Sequence, residues 1–170
     1  ASAGDLICVT GTLGDAALAL QQLPSATADH SLRRRLDRPT PRVEAGQLLA
    51  EWSVAAIDVS DGLAADLNHM LVASQLGAEL RADKLPQSPA FASAAPEDAL
   101  ALQLHGGDDY ELCVCLRNDD FQAAQARLAA LSLPLTGISV ITAAPGLRLR
   151  EGNVVRAIEP HGYQHFVGQA

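Results

Sequence analysis

Short apolar runs that alternate with helical patterns constrain the fold of this chain more strongly than any other feature of its sequence. The run at residues 5–10 (DLICVT) predicts a buried strand, and an alanine- and leucine-rich helix is predicted over about 15–23. The run at 54–59 predicts a second strand, which leads into a helix over 63–73 with one apolar stripe. A chain with this order of elements builds a sheet with helices packed against it.

The rest of the chain extends this pattern and ends in a hairpin. The same reasoning predicts a helix over 43–52, strands at 78–81, 110–116 and 135–141, a helix over 119–131 and a hairpin of 147–150 with 154–158. Residues 24–41 are expected to be a polar connection, and 86–96 to be irregular or briefly helical. The predicted fold class is therefore α+β, a mixed sheet flanked by helices in an α/β/α sandwich.

Composition and charge exclude several classes of protein. A chain of 170 residues suits a single domain with one core, and its six aromatic residues leave alanine, leucine and valine to build that core. Acidic residues outnumber lysine and arginine by 20 to 12. This balance argues against nucleic acid as a partner, because nucleic-acid-binding proteins need a basic surface.

The sequence also bears on the compartment. No apolar run approaches the roughly 18 residues of a membrane span, and the first residues lack the features of a secretory signal. Three cysteines in apolar patterns fit buried, reduced thiols. We therefore expect a cytoplasmic protein without a membrane partner. Because the chain opens directly on a strand, we expect it to be part of a longer protein.

The strongest chemical signal lies at residues 57–63 (IDVSDGL), where an apolar strand ends in two carboxylates that flank a serine. Asp58 and Asp61 can converge at the carboxyl end of the strand and supply hard oxygen ligands for Mg²⁺. Ser60 and the amides that start the helix can hold a phosphate oxygen. A helix cap on a common Asp-Gly turn explains the same residues. Asp58 favours the metal, because a carboxylate inside an apolar strand is costly unless it is paired or bound.

A second signal lies at residues 104–112 (LHGGDDYEL), where two glycines precede three acids within four positions. Such acids repel one another unless a cation or a cationic ligand is present, although a glycine turn with solvated acids is the simpler interpretation. The arginines of 33–42 are interpreted as a solvated loop in which Arg38 and Arg42 pair locally, with phosphate binding as the alternative. The only lysine, Lys84, lies outside any glycine loop, so a Walker-type phosphate site is not expected.

Five segments of the sequence form a specific set: residues 4–11 (GDLICVTG), 38–42 (RPTPR), 57–63 (IDVSDGL), 106–112 (GGDDYEL) and 162–166 (GYQHF). In this order they resemble the thiamine-monophosphate kinase family, within the aminoimidazole ribonucleotide synthetase superfamily. The resemblance implies that residues 1–170 form one domain, the C-terminal half of a two-domain kinase, with the fold of the synthetase C-terminal domain. The N-terminal domain would supply most metal-binding aspartates and a homodimer interface. The implied activity is ATP-dependent phosphorylation of thiamine monophosphate to thiamine diphosphate, with Mg²⁺ and ATP held between the domains.

The resemblance also implies a role for five residues and assigns no catalytic residue to this chain. Asp58 and Asp61 occupy the positions of Mg²⁺ ligands, and Ser60 that of an ATP contact. Asp108 stands where the family has a substrate-contacting glutamate. Tyr163 stands where an aromatic side chain packs against the substrate.

Two departures from the family pattern affect these assignments. Asp108 is one methylene shorter than glutamate, and Gln164 replaces an aspartate. The rival interpretations are another ATP-using enzyme of the superfamily, such as a selenophosphate or purine-pathway synthetase, and a non-catalytic isolated domain. We expect the 170 residues alone to fold but to have no kinase activity, because phosphoryl transfer needs bridging metals and a closed site.

Overall fold

The computed structural model describes residues 1–23 and 29–162, which form one seven-stranded sheet and seven α helices. The strands are β1 (Leu6–Thr10), β2 (Ser53–Val59), β3 (Gly77–Arg81), β4 (Glu111–Leu116), β5 (Leu135–Thr142), β6 (Gly146–Glu151) and β7 (Val154–Ala157). The helices are α1 (Asp15–Gln22), α2 (His30–Asp37), α3 (Val43–Leu49), α4 (Leu63–Ser74), α5 (Pro89–Ala94), α6 (Ala99–His105) and α7 (Phe121–Ala129). None of the helices described is long and apolar enough to cross a membrane.

The sheet is mixed, as the sequence predicted. Its strand order is β2-β4-β1-β5-β3-β6-β7, in which β3 and β6 run parallel and every other neighbouring pair runs antiparallel. The predicted hairpin is β6 with β7, and Arg150 lies opposite Val155. Among the described residues, strand β2 pairs only with β4 and so forms one edge of the sheet, with Asp58 opposite Leu112.

Alternate residues of the central strands pack on opposite faces of the sheet. Ile7 and Val9 of β1 pack against the buried leucines of α4, whereas Cys8 packs with Leu49 of α3 and Leu128 of α7. This period-2 alternation gives the sheet two apolar faces, each covered by helices. A third cluster joins α1, α2, α5 and α6. The predicted α+β sandwich is confirmed.

The prediction of a polar connection over residues 24–41 is wrong for residues 30–37, which form α2. The carboxylate of Asp29 caps this helix by accepting the backbone N–H groups of Ser31 and Leu32. Leu32 is fully buried against Phe91 in the third cluster. A well-formed cap and one buried leucine therefore stabilise a helix whose exposed arginines resemble a loop. Helix α6 was also not predicted.

The three cysteines lie in the sheet as free, buried thiols, which confirms the sequence interpretation. Burial raises the pKa of Cys8 to about 12 and that of Cys115 to about 11. Both thiols are therefore protonated and act as small apolar side chains of the core.

Candidate functional site

A cleft of about 510 Å³ opens at the end of β2 and brings three of the sequence-predicted site residues together. Ser60, Asp61 and Asp108 line it, and α1 and α6 supply its apolar walls. Tyr110, which the sequence analysis did not single out, lines the same cleft. The size is within the usual range of small-molecule sites.

The turn that carries Ser60 and Asp61 is held by a residue that sequence reasoning missed. Asp66, buried in the first turn of α4, accepts the backbone N–H groups of Ser60 at 2.9 Å and of Asp61 at 3.0 Å. Burial raises the pKa of Asp66, the two hydrogen bonds oppose that rise, and the nearby carboxylates of Asp61 and Asp58 add to it. The signal that could have revealed Asp66 is an acid in the first turn of a helix that follows a turn.

Gly62 lets this turn approach α6 closely. Its φ is +115°, a conformation that side chains rarely adopt, and an added Cβ would lie 2.9 Å from the carbonyl carbon of His105. Two separate features therefore disfavour any other residue at this position. The backbone conformation would strain a residue with a side chain, and there is no room for a Cβ atom. Together, Gly62 and Asp66 fix the end of β2 against the wall of the cleft.

Asp58 and Asp61 are both exposed, and within residues 1–23 and 29–162 no hydrogen bond or ion pair engages either carboxylate. The argument that Asp58 pays a burial cost inside an apolar strand is therefore wrong. Because β2 is the edge strand, Asp58 faces solvent beside Leu112 rather than the core. The two carboxylates are therefore available to bind a ligand. This availability, and not a burial cost, is what makes Asp58 a candidate metal ligand.

The loop after α6 places Asp108 beside the turn. The N–H of Asp108 donates to the carbonyl of Ser60 at 2.9 Å, and the N–H of Tyr110 donates to the carbonyl of Val59 at 2.8 Å. Asp108 has a φ of +68° and Tyr110 a φ of +50°. Left-handed backbone costs about 1–3 kcal/mol for such residues, so the surrounding contacts must hold the loop in place.

Those contacts lie on the other side of the loop, where the sequence analysis expected solvated acids. Glu111 is fully buried and accepts hydrogen bonds from Thr10 Oγ1 at 2.7 Å and from Arg35 Nη2 at 2.8 Å. Arg42 binds both oxygens of Glu111, through Nε at 2.8 Å and Nη2 at 2.6 Å. The prediction of solvated acids is therefore wrong here, as is the prediction that Arg42 pairs locally.

Asp109 is the second buried acid of this loop and is 2% exposed. One carboxylate oxygen accepts the N–H of Gly14 at 2.8 Å, and the other has no partner among the described residues. Burial raises the pKa of Asp109 to about 7. The hydrogen bond from Gly14 and the charge of Arg35 lower this pKa, whereas the charges of Asp15 and Glu111 raise it. A buried carboxyl beside two other acids is therefore neutralised in part by binding a proton.

Arg35 connects this buried network to the loop. Its Nη2 contacts the carbonyl oxygens of Thr12 and Asp109, each at 3.4 Å, in addition to Glu111. Its Nε lies 3.7 Å from Asp15, a buried acid that also accepts hydrogen bonds from two hydroxyl groups. We name the set Asp15, Arg35, Arg42, Asp109 and Glu111 the buried ion network.

The described chain ends beside the cleft. The backbone oxygen of His161 lies 2.9 Å from Nδ1 of His105, and an added Cβ on Gly162 would come within 2.9 Å of the Asp61 carbonyl. Tyr163 and Gln164, on which the sequence analysis made predictions, lie outside the described residues.

The fold, a mixed sheet with helices on both faces, is that of a known domain class. Residues 2–152 match the family described as AIR synthase related protein, C-terminal domain, and the chain belongs to this family. This confirms the superfamily that the sequence motifs suggested.

Similar proteins within the family are thiamine-monophosphate kinases. The enzyme of Escherichia coli (strain K12) is 40% identical over 98% of this chain and 54% of its own length, and that of Bacillus subtilis (strain 168) is 32% identical with the same coverage. The crystal structure of thiamine-monophosphate kinase from Stenotrophomonas maltophilia K279a is 44% identical, with a TM-score of 0.83, over 88% of this chain and 51% of that chain. AaThiL complexed with AMPPCP and TMP is 28% identical, with a TM-score of 0.82, over 98% of this chain and 52% of that chain. The chain thus spans about half the length of the curated relatives it matches.

Proposed function

We propose that this chain is the C-terminal half of a thiamine-monophosphate kinase, which transfers a phosphoryl group from ATP to thiamine monophosphate and forms thiamine diphosphate. One observation carries the proposal: a chain 40% identical to such enzymes over 98% of its length also gathers Ser60, Asp61 and Asp108 around one cleft. The bound molecules named for AaThiL, AMPPCP and TMP, support ATP and thiamine monophosphate as the two substrates.

The same coverage supports a two-domain organisation. The match covers 98% of this chain and 54% of the E. coli relative, which supports one domain over residues 1–170 and a second domain of similar size in the complete protein. We assign to that N-terminal domain the remaining ATP and Mg²⁺ contacts and the interface of a homodimer. The free, buried thiols of the sheet suit a cytoplasmic enzyme.

The residues of the cleft divide between the two substrates. Ser60, at the start of the turn before α4, is proposed to contact ATP, since its hydroxyl and the nearby helix amides suit a phosphate oxygen. Asp108 is proposed to contact thiamine monophosphate, and Tyr163, which follows Gly162 at the cleft, to pack against it. The hydrogen bond from the backbone of Asp108 to the carbonyl of Ser60 places its shorter side chain beside the turn.

Asp58 and Asp61 fit Mg²⁺. Both are exposed carboxylates on either side of Ser60, and neither is committed to a protein partner within the described residues. Two carboxylates are the usual protein share of a Mg²⁺ site that also includes phosphates and water. When bound there, the metal would neutralise charge on the transferred phosphoryl group.

The chain's own residues then have a positioning task. Phosphoryl transfer asks a protein mainly to align the reactants and to balance charge, and the acceptor here is an already ionised phosphate oxygen. No residue of this chain therefore has to act as a strong general base. Asp66 holds the turn that presents Ser60 and Asp61, and the buried ion network holds the loop that presents Asp108.

The test uses the two-domain protein, with thiamine diphosphate formation and calorimetric Mg-ATP titration as readouts. Asp58→Asn and Asp61→Asn should each weaken Mg-ATP binding and lower turnover at least 10-fold. Asp119→Asn is the matched control and should change neither, because Asp119 is exposed, follows the end of β4 opposite to the cleft and has no side-chain hydrogen bond among the described residues. Two-domain protein that forms no thiamine diphosphate would refute the function, and unchanged variants would remove these aspartates from the site.

The domain proposal has its own test. The 170 residues alone should melt cooperatively and show no turnover, and adding the separately produced N-terminal domain should restore it. Robust thiamine diphosphate formation by the 170 residues alone would refute a shared active site.

A further inference from the structure

Tyr110 combines an exposed aromatic ring with a backbone conformation that a bulky residue rarely adopts. Its φ is +50°, and the residue is 41% exposed in a chain that has only two tyrosines and six aromatic residues. A non-glycine, bulky residue in the left-handed region is an outlier that persists only when the surroundings over-determine it. Such outliers gather at functional sites, and this one lines the cleft.

The contacts of the loop explain how the conformation is held. The N–H of Tyr110 donates to the carbonyl of Val59, and the residues on both sides of Tyr110 are anchored in the buried ion network. Asp109 accepts the N–H of Gly14, and Glu111 is held by Arg35 and Arg42. With both neighbours directed into the protein, the ring between them lies at the cleft.

Packing in the apolar clusters of the described residues does not explain why a tyrosine occupies this strained position. Tyr110 belongs to none of the three apolar clusters found among the described residues. The hydrogen bond of its hydroxyl within the described chain is a long one, 3.3 Å to Asp108 Oδ1. Glycine would meet the same backbone conformation without strain, so the backbone alone does not account for a tyrosine here.

We propose that Tyr110 is a substrate-binding residue of the cleft, where its ring face contacts a flat, positively charged heterocycle whose charge is balanced by Asp108. The inference rests on the proposed function, because thiamine monophosphate carries such a ring, the thiazolium. An aromatic face attracts a cation through its quadrupole, and the carboxylate of Asp108 at the same cleft adds to that attraction. Tyr110 thereby selects the charged ring rather than the phosphate.

Binding to the two-domain protein tests the proposal directly. Calorimetry with thiamine monophosphate should give an affinity roughly 5- to 30-fold weaker for Tyr110→Ala than for the unchanged protein. Tyr110→Phe keeps the ring and should stay within about 3-fold. The affinity for Mg-AMPPCP should not change in either variant. A phosphorylated thiazole that lacks the quaternary nitrogen should bind the unchanged protein and Tyr110→Ala about equally.

A glycine variant separates binding from structure. Tyr110→Gly relieves the strained backbone, so it should raise the melting temperature while it weakens thiamine monophosphate binding as much as Tyr110→Ala does. Gln75→Gly is the matched control, because Gln75 is exposed and has a φ of +57° at the end of α4. It should raise the melting temperature with no effect on binding.

The outcomes distinguish the two proposals. If the unchanged protein binds thiamine monophosphate and Tyr110→Ala binds it equally well, Tyr110 is not a binding residue and the proposed function stands. The same conclusion follows if Tyr110→Ala weakens Mg-AMPPCP as much as thiamine monophosphate. If the unchanged protein binds no thiamine monophosphate, the proposed function fails and the role of Tyr110 fails with it.

Discussion

Replacing Asp109 with asparagine should make the protein more stable at alkaline pH, although it alters a buried, hydrogen-bonded residue. The carboxyl is 2% exposed, has one hydrogen bond to Gly14 and lies near the charges of Asp15 and Glu111. Asparagine has nearly the same shape and keeps an oxygen that accepts the N–H of Gly14. Its amide group then faces the two neighbouring acids without a charge of its own.

The magnitude follows from the pKa of Asp109. Burial raises this pKa from 3.8 to about 7, which corresponds to about 4 kcal/mol. Between these two values the folded protein holds a proton that the unfolded chain has released, so the free energy of unfolding falls as pH rises. The stabilising effect of the protonated carboxyl is complete below about pH 4 and is lost as pH rises through 7. Asp109→Asn has no such dependence, so it should match the unchanged protein within about 1 kcal/mol at pH 4 and exceed it by about 2–4 kcal/mol at pH 8.

Urea unfolding of the 170-residue chain at pH 4, 5, 6, 7 and 8 measures this difference. Other titrating groups, including Asp66, are present in both proteins, so subtracting the two pH profiles isolates Asp109. Asp119→Asn, an exposed acid, is the control and should follow the unchanged protein at every pH. A difference between Asp109→Asn and the unchanged protein that does not vary with pH would refute the reasoning, as would a variant that is less stable at pH 8.

Three further variants test other contacts of the site. Gly106→Ala should lower the free energy of unfolding by at least about 2 kcal/mol in urea melts, because the added Cβ would overlap the carbonyl oxygen of Leu102 and the methyl group of Ala17; wild-type stability would contradict the close approach. Asp66→Ala removes the acceptor of two turn amides and should cost about 1–3 kcal/mol, with weaker Mg-ATP binding in calorimetry of the two-domain protein; unaltered Mg-ATP affinity would limit Asp66 to a stabilising role. Glu111→Gln leaves the partly buried Arg35 and Arg42 without their shared counter-charge and should lower the free energy of unfolding by about 3–5 kcal/mol in the same melts. A loss below about 1 kcal/mol would show that these ion pairs contribute little to stability.

Local patterns in the sequence predicted most of the fold. The runs that form β1 and β2, the stripe of α4 and the closing hairpin all carry their period in consecutive residues, so each could be read without knowledge of its neighbours. Helix α2 was missed because only one of its side chains is buried and four arginine and aspartate residues dominate its pattern. Its stability comes partly from the Asp29 cap, a local signal that the sequence analysis overlooked, and partly from Leu32, which packs in the third cluster against residues distant in sequence.

The residues of the candidate site also fall into two groups: those that a local motif predicts and those that only the folded chain brings together. Ser60, Asp61 and Asp108 could be predicted because each belongs to a short motif, and the cleft does bring them together. The partners of Glu111 could not, since Arg35 and Arg42 lie 76 and 69 residues away and meet it only after the sheet has formed. Exposure of the Asp58 carboxylate likewise depends on the strand order, which places β2 at the edge, and no local pattern encodes that order.

The four residues 108–111 show why a run of acids was difficult to interpret. Asp108 and Tyr110 line the cleft, whereas Asp109 and Glu111 are buried in the ion network. Side chains that are adjacent in sequence therefore lie in different environments. The two cleft residues have left-handed backbone, and the two buried residues have the contacts that hold it. Strained backbone of this kind persists only when the surrounding contacts prevent it from relaxing. The contacts of the buried ion network therefore help to fix the positions of the two residues that line the cleft. Loosening Glu111 should therefore release Tyr110 as well, so a variant of Glu111, which does not itself line the cleft, would weaken substrate binding through the backbone of this loop.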